Sequence, residues 1–293
     1  MAGSLKRIEQ DIATLEEAIA KIAQDFYSCY ENYLQVLSQA VRQQLILATY
    51  HLCTQGYPEA FLQLSYSERQ ELQAGIRDLA GQTHTKLTAL VRTPIAGDTP
   101  PPPGGKLSSA PEEEPPEGER NPEEPEATAE PSPPTKSLSE LKPLLITPIR
   151  LLHWQENIEE AIQEILYTLS HDVNLLLQEA GIILPELPEA LLEAASKADP
   201  PPEATGGSPN LLHLTIETDD EDDKHSSNLT QLITVHLRLP EIEFADPAVM
   251  GARHQIRNLV GRLHRLGRDY QKKQRDRAVL EAESAWRSSW FEQ

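Results

Sequence analysis

Three carboxylates, Glu241, Glu243 and Asp246, lie within one short stretch, close enough for paired acids to divide general-acid and general-base work. On an extended strand the two glutamates share a face, and Asp246, just ahead of Pro247, reads as a helix cap. No nucleophile or base accompanies them, so they point to structure rather than catalysis. The run Asp219, Asp220, Glu221, Asp222 and Asp223 could attract cations, but the glycine and the closing glutamate of a calcium loop are missing. A solvated charge run accounts for it. His254 and His264 stand too far apart on one helix to share a metal. Cys29 and Cys53 are the only thiols, too few for a thiolate site, and Cys29 falls on an apolar seam where a buried, inert thiol belongs. There is no GxGxxG, GxxxxGK, GxSxG or HExxH motif. The expectation is a chain that is not an enzyme and that holds no cofactor and no metal.

A different chemistry is concentrated near the C-terminus. On a helix opening at Pro247, Val249, Ile256, Leu259, Val260, Leu263, Leu266 and Tyr270 fall on one arc. Arg253, Arg257, Arg262, Arg265, Arg268, Lys272, Lys273 and Arg275 fall on the other. The apolar arc is expected to cover a β-hairpin, leaving the cations outside. Further on, Trp286 and Trp290 return to the cationic side, and with Phe291 they form an aromatic group of the kind enriched at protein interfaces. Completing the protein's own core is the other role open to them. The candidate partner-binding residues are therefore Arg253, Arg257, Arg265, Arg268, Lys272, Arg275, Trp286, Trp290 and Phe291. Eight cations along a helix could also follow a phosphate backbone, although interleaved aromatics and a recognised binding module are lacking.

The elements that must position this helix are legible in period. Ile8, Ile12, Leu15, Ile19, Ile22, Phe26, Cys29, Tyr33, Val36 and Ala40 alternate in spacings of four and three, a heptad seam. A single helix from about Ser4 to His51 follows. Ala18, Ala23, Tyr30 and Leu37 widen its stripe, and the flanking charges Asp11, Glu16 and Asp25 are acidic. Both features favour packing in a bundle over a parallel self-dimer. Gly56 and Pro58 break the chain, and a second helix to about Val91 starts at Ser65 or Ser67, each followed three residues on by Glu68 or Gln70 as in a capping box. A third stripe runs from Ile149 and Leu152 through Ile158, Ile162, Ile165, Leu169, Val173 and Leu176, with Glu156, Glu159, Glu160 and Glu164 outside. Pro185 and Pro188 open a further short helix. The period then changes. Leu212, Leu214 and Ile216, then Ile233, Val235, Leu237 and Leu239, alternate with polar residues, predicting an antiparallel hairpin with one apolar face and a second strand that EIEFADP extends.

The fold class expected is mainly α: a helical bundle with a long heptad-patterned N-terminal helix and a small C-terminal ββα unit, joined by disordered acidic and proline-rich linkers. The divisions are a helical hairpin at 1–93, a Pro/Glu linker at 94–136, a helical segment completing the bundle at 137–198, a linker at 199–209, and the hairpin with its basic helix at 210–293. The first linker carries 13 of the chain's 24 prolines, a composition that cannot bury enough surface to offset backbone entropy. Across 293 residues, 46 acids against 26 basic groups give a net charge of -20. Residues 250–293 alone are clearly cationic, so an anionic partner has to bind there. No stretch approaches the length of a membrane span, and no secretory leader is evident.

YPEAFLQLSYSERQELQ and IRNLVGRLHRLGRDYQKKQRDRAVLEAESAWRSSWFEQ resemble an uncharacterised family of cyanobacterial hypothetical proteins. The resemblance implies a cytoplasmic protein of a photosynthetic bacterium and carries over no catalytic residue. The function expected is a non-enzymatic scaffold or adaptor, binding a protein partner or a second copy of itself. A nucleic-acid-associated regulator using the same helix is the alternative.

Overall fold

The computed structural model describes residues 2–92, 146–183, 208–218 and 228–290. The linker at 94–136, most of that at 199–209, the helix expected after Pro185, the Asp219–Asp223 run and Phe291 lie outside the described residues. The protein is mainly α. In chain order it has α1 (Ala2–His51), a π-turn over Leu52–Gly56, α2 (Pro58–Gln63), α3 (Tyr66–Ala89), α4 (Pro148–Glu179), β1 (Leu211–Thr218), β2 (Asn228–Val235), α5 (Leu239–Ala245) and α6 (Pro247–Ser289). The described residues belong to one compact unit.

At 50 residues, α1 spans ~75 Å and is the axis of the fold. The seam positions Ile12, Ile19, Ile22, Phe26, Tyr33 and Ala40 and the widening positions Ala23, Tyr30 and Leu37 are buried together, and Leu34, Val41 and Leu45 extend that face, whereas Ile8, Leu15, Ala18, Cys29 and Val36 are half-buried. Towards its C-terminal end α3 packs against it, held at its start by a capping box. Ser65 Oγ accepts from Glu68 N–H at 3.3 Å, and the Glu68 carboxylate accepts from Ser65 N–H at 2.6 Å. Of the two boxes possible in sequence, this one forms; Gln70 instead donates to Tyr66 Oη. Thr147 caps α4 ahead of Pro148, whose missing N–H costs nothing at the first turn. The buried face of α4 is Leu151, Trp154, Ile158, Ile162, Leu166, Leu169, Val173 and Leu177. Ile149, expected on that face, is instead 55% exposed.

The hairpin departs from expectation in three ways. Its register pairs Leu212 with Thr234 and His213 with Ile233, so Leu212 and Leu214 lie on the face opposite Ile233 and Val235. Apolar residues on both faces are then buried, among them Leu211, Leu212, Leu232 and Val235. Its seat is an edge rather than a face. A two-stranded sheet leaves the outer edge of β2 with unpaired backbone groups, and three side chains from outside the sheet take them up. Tyr57 Oη bonds both N–H and C=O of Ile233 (2.8 and 3.2 Å). Asn174 bonds both groups of Val235 (2.9 Å each), and Ser170 Oγ accepts from Leu237 N–H at 3.0 Å. Finally, EIEFADP does not prolong β2. Pro240 sits in the first turn of α5, where proline suits a helix start and ends the ladder.

The apolar arc of α6 does not cover the hairpin either; it lies along α1. A strand pair of eight residues offers ~26 Å of apolar surface, whereas α1 matches a helix of ~65 Å. Asp246 caps α6 as expected, its Oδ1 accepting from Ala248 N–H at 2.8 Å. Replacing Asn174 by Ala strands a buried N–H and C=O at the edge of β2, so urea unfolding should report a loss of about 2–4 kcal/mol with helical circular dichroism unchanged.

Candidate interaction surface

α1 and α6 run antiparallel, and their flanking charges set the pairing. Lys273 Nζ stands 2.6 Å from Asp11 Oδ2, Tyr270 Oη donates to Glu16 at 3.2 Å, and Arg262 lies 3.9 Å from Asp25. The acidic flank of α1, read in sequence as a bar to self-pairing, is therefore the counterpart of one edge of the basic helix. The hydrogen bond from Lys273, with its charge and that of Arg7, holds the Asp11 carboxyl below its usual range.

Deeper in the body Arg253 fixes the rotation of α6. Its Nη1 and Nη2 fork onto the two oxygens of Glu159, with Nη2 to Oε2 at 2.7 Å. Its Nε stands 3.0 Å from Glu243 Oε1, an ion-pair distance although the N–H is not directed along that line. Its guanidinium carbon lies 5.3 Å from the centre of the Tyr33 ring. Tyr30 donates to Glu159 and Tyr33 to Glu243, each at 2.6 Å. One cation thus serves two carboxylates, and two phenol hydroxyls complete the acceptors. Burial, foremost, keeps both phenols well above the ordinary tyrosine value. Burial also works against the charge on Arg253, but the Glu159 hydrogen bond and the neighbouring anions prevail and hold it protonated.

Arg253, expected among the outward cations, is only 17% exposed and belongs to the interior. Glu159, read as part of an outer acidic face, and Glu243, read as a strand residue, are its partners. The sequence cue was present in the wheel: Arg253 borders the apolar arc, as Glu159 borders that of α4. Substituting Arg253 by Met leaves two buried carboxylates uncompensated and should cost about 3–5 kcal/mol in urea unfolding.

With Arg253 turned inward, the remaining candidates share the outer face of α6. Arg257, Arg265, Arg268, Lys272 and Arg275 are exposed, and among the described residues none makes an ion pair. Asp269 and Asp276 line the cleft beside Lys272 and mark the limit of the stripe. Between Arg257 and Arg275 it runs ~27 Å. All residues from Glu281 to Trp290 are exposed, Trp286 by 67% and Trp290 by 71%, with their rings 5.9 Å apart. Both tryptophans therefore lie outside the protein's own core. Past the Asp11–Lys273 pair α1 continues only to Ala2, while α6 continues to Ser289, so the last turns of α6 have no helix beside them among the described residues.

Two other arrangements resemble chemistry but do not assemble it. Ser38 Oγ lies 2.7 Å from His84 Nδ1 and 2.8 Å from the Gln35 carbonyl, and among the described residues no acidic side chain bonds the ring to complete a relay. Cys53 is buried, which pushes its thiol up to about 11, away from nucleophilic use. No helix among the described residues is long and apolar enough to cross a membrane. No family model, curated protein or solved structure matches this chain.

Proposed function

We propose that the chain is a non-enzymatic interaction protein whose contact surface is the outer face of α6. The observation that carries this reading is the exposure of Trp286 and Trp290 on the same arc as five cations that make no ion pair among the described residues. Two large aromatic rings held in water at a helix end have an unfavourable solvation that a partner surface relieves. The cations around them steer an acidic partner and exclude a basic one. The α1–α6 pairing holds the helix along the cationic stripe, which lowers the ordering penalty of binding there. The compartment proposed is the cytoplasm, which two unpaired thiols suit.

Affinity capture from the native cell, with the full chain as bait, tests the reading. Trp286→Ala combined with Trp290→Ala should lower recovery of the specific partner by tenfold or more, since paired aromatic anchors contribute about 2 kcal/mol or more each. Helical circular dichroism should not change. Undiminished recovery sinks the proposal.

A second reading, binding of nucleic acid along the same stripe, is favoured only by its length and its unpaired cations. A salt titration with generic DNA and RNA decides it. Five phosphate contacts require a log–log slope near about -4, and an absence of binding at low salt eliminates it.

A further inference from the structure

We propose that the cavity between α1 and α3 is a binding site for a straight-chain carboxylic acid of medium length, with the tail enclosed and the carboxylate at Arg77. The cavity opens beside the C-terminal end of α1, whereas Trp286 and Trp290 lie past its N-terminal end, so this site is independent of the contact surface on α6. Its volume of about 410 Å³ falls within the range of small-molecule sites. Thr49 and Cys53 line it from α1 and the π-turn, and Leu72 and Ile76 line it from α3. Thr49 Oγ1 donates to the Leu45 carbonyl at 2.8 Å, and Thr54 Oγ1 donates to that of Tyr50 at 2.7 Å. Each hydroxyl is thus taken up by its own helix, and what the threonine has left to offer a neighbour is its methyl group. Burial keeps the Cys53 thiol neutral. Water against such walls finds few partners, so a hydrocarbon chain replaces it at a gain.

The walls are held in place by the fold itself. Tyr57, just before α2, bonds the backbone of Ile233 in β2. From the other side Arg69 of α3 donates to the carbonyls of Phe61 and Leu62, at 3.2 and 2.8 Å, and its guanidinium carbon lies 5.3 Å from the centre of the Phe61 ring. Phe61, which lines the cavity from α2, is fixed by these contacts, and a wall already in place lowers the ordering cost of binding.

Charge and direction select the occupant. Arg77 lines the cavity, is exposed, and among the described residues makes no ion pair. Its Nη2 donates to Gln73 of the same helix over a long 3.4 Å. No carboxylate lines the cavity. One cation and no anion at an apolar chamber favour a negative head group and oppose a positive one. α3 runs antiparallel to α1, with Ser38 at 2.7 Å from His84, so Arg77 stands level with Ile46 while Leu72 stands nearer Cys53. Ile46 is 45% exposed and Tyr50 58%, which makes the mouth apolar on the α1 side. From Ile46 to Thr54 the cavity follows α1 for ~12 Å. An extended chain entering with its carboxylate at Arg77 therefore runs along the helices towards Cys53 and Phe61.

Calorimetry and methyl NMR on the full chain test the site, with octanoate, decanoate and decylammonium as probes. Decanoate should bind about tenfold tighter than octanoate, because each further buried methylene contributes a factor of about four. Its methyl shifts should fall on Ile46, Leu72 and Ile76 and leave Ile158 of α4 and Ile256 of α6 unmoved. Decylammonium, with the same tail, should bind more weakly than decanoate. Arg77→Gln should lower decanoate affinity about threefold or more and raise that of decylammonium, since an exposed cation contributes on this scale. Damage to the fold weakens both probes together, so the opposite signs separate the role of the charge from a structural one. No binding of decanoate at millimolar concentration, shifts centred on methyl groups outside the cavity, or an Arg77→Gln effect of the same sign on both head groups would overturn the proposal.

Discussion

The arrangement depends on how one buried cation is satisfied. Arg253 sits where α1, α4, α5 and α6 converge, and it touches side chains from the other three: Tyr33 of α1, Glu159 of α4 and Glu243 of α5. Hydrophobic burial alone does not set the rotation of a long helix, because an apolar arc tolerates small angular shifts at little cost. A forked guanidinium between two carboxylates tolerates none, since a misaligned charge in the interior has no water to fall back on. Once Arg253 is held, the angle of every later residue of α6 follows from helical geometry. The outward direction of Arg268, Lys272 and Trp286 is set some twenty to fifty ångströms away from where it is presented.

The same principle of polar groups satisfied across element boundaries seats the hairpin. β1 and β2 make too small a sheet to be stable by themselves, and the edge of β2 is closed by Tyr57, Ser170 and Asn174 rather than by another strand. Asn210 adds a second anchor at the start of β1. It adopts a left-handed φ of 60°, which asparagine tolerates, and bonds Gln44 of α1 and the backbone of Arg238. The hairpin is thereby bonded to α4, α1 and the junction between the π-turn and α2, which frees the apolar arc of α6 to follow α1 over most of its length.

Periodicity made the long elements legible. The heptad seam of α1, the capping box at Ser65 and the cap at Asp246 are local signals whose physical basis does not depend on what packs nearby. What periodicity could not resolve was choice among partners. Two apolar surfaces were available to α6, and the longer one won. Ser170 and Asn174 interrupt the apolar face of α4 one turn apart, a hint that the face meets backbone there, but the hint does not say whose. The site was legible in the same uneven way. Residue types and angles placed Arg257, Arg265, Arg268, Lys272, Arg275, Trp286 and Trp290 on one side of α6. The inward turn of Arg253 required knowing that Glu159 and Glu243 converge on it from elements remote in sequence.

A net charge of -20 suggests a protein that repels other anions and other copies of itself. That inference treats charge as a sum, whereas contact energies depend on where charges lie within a Debye length of each other. On α6, Arg253 has two carboxylates within bonding distance and is spent on cohesion, and Lys273 and Arg262 are matched by the acidic flank of α1. The cations one turn further round make no ion pair among the described residues. They are identical in chemistry to those that hold the fold and differ only in angle. The sign of this face is therefore opposite to that of the sum, and at contact range the face is what a neighbour meets.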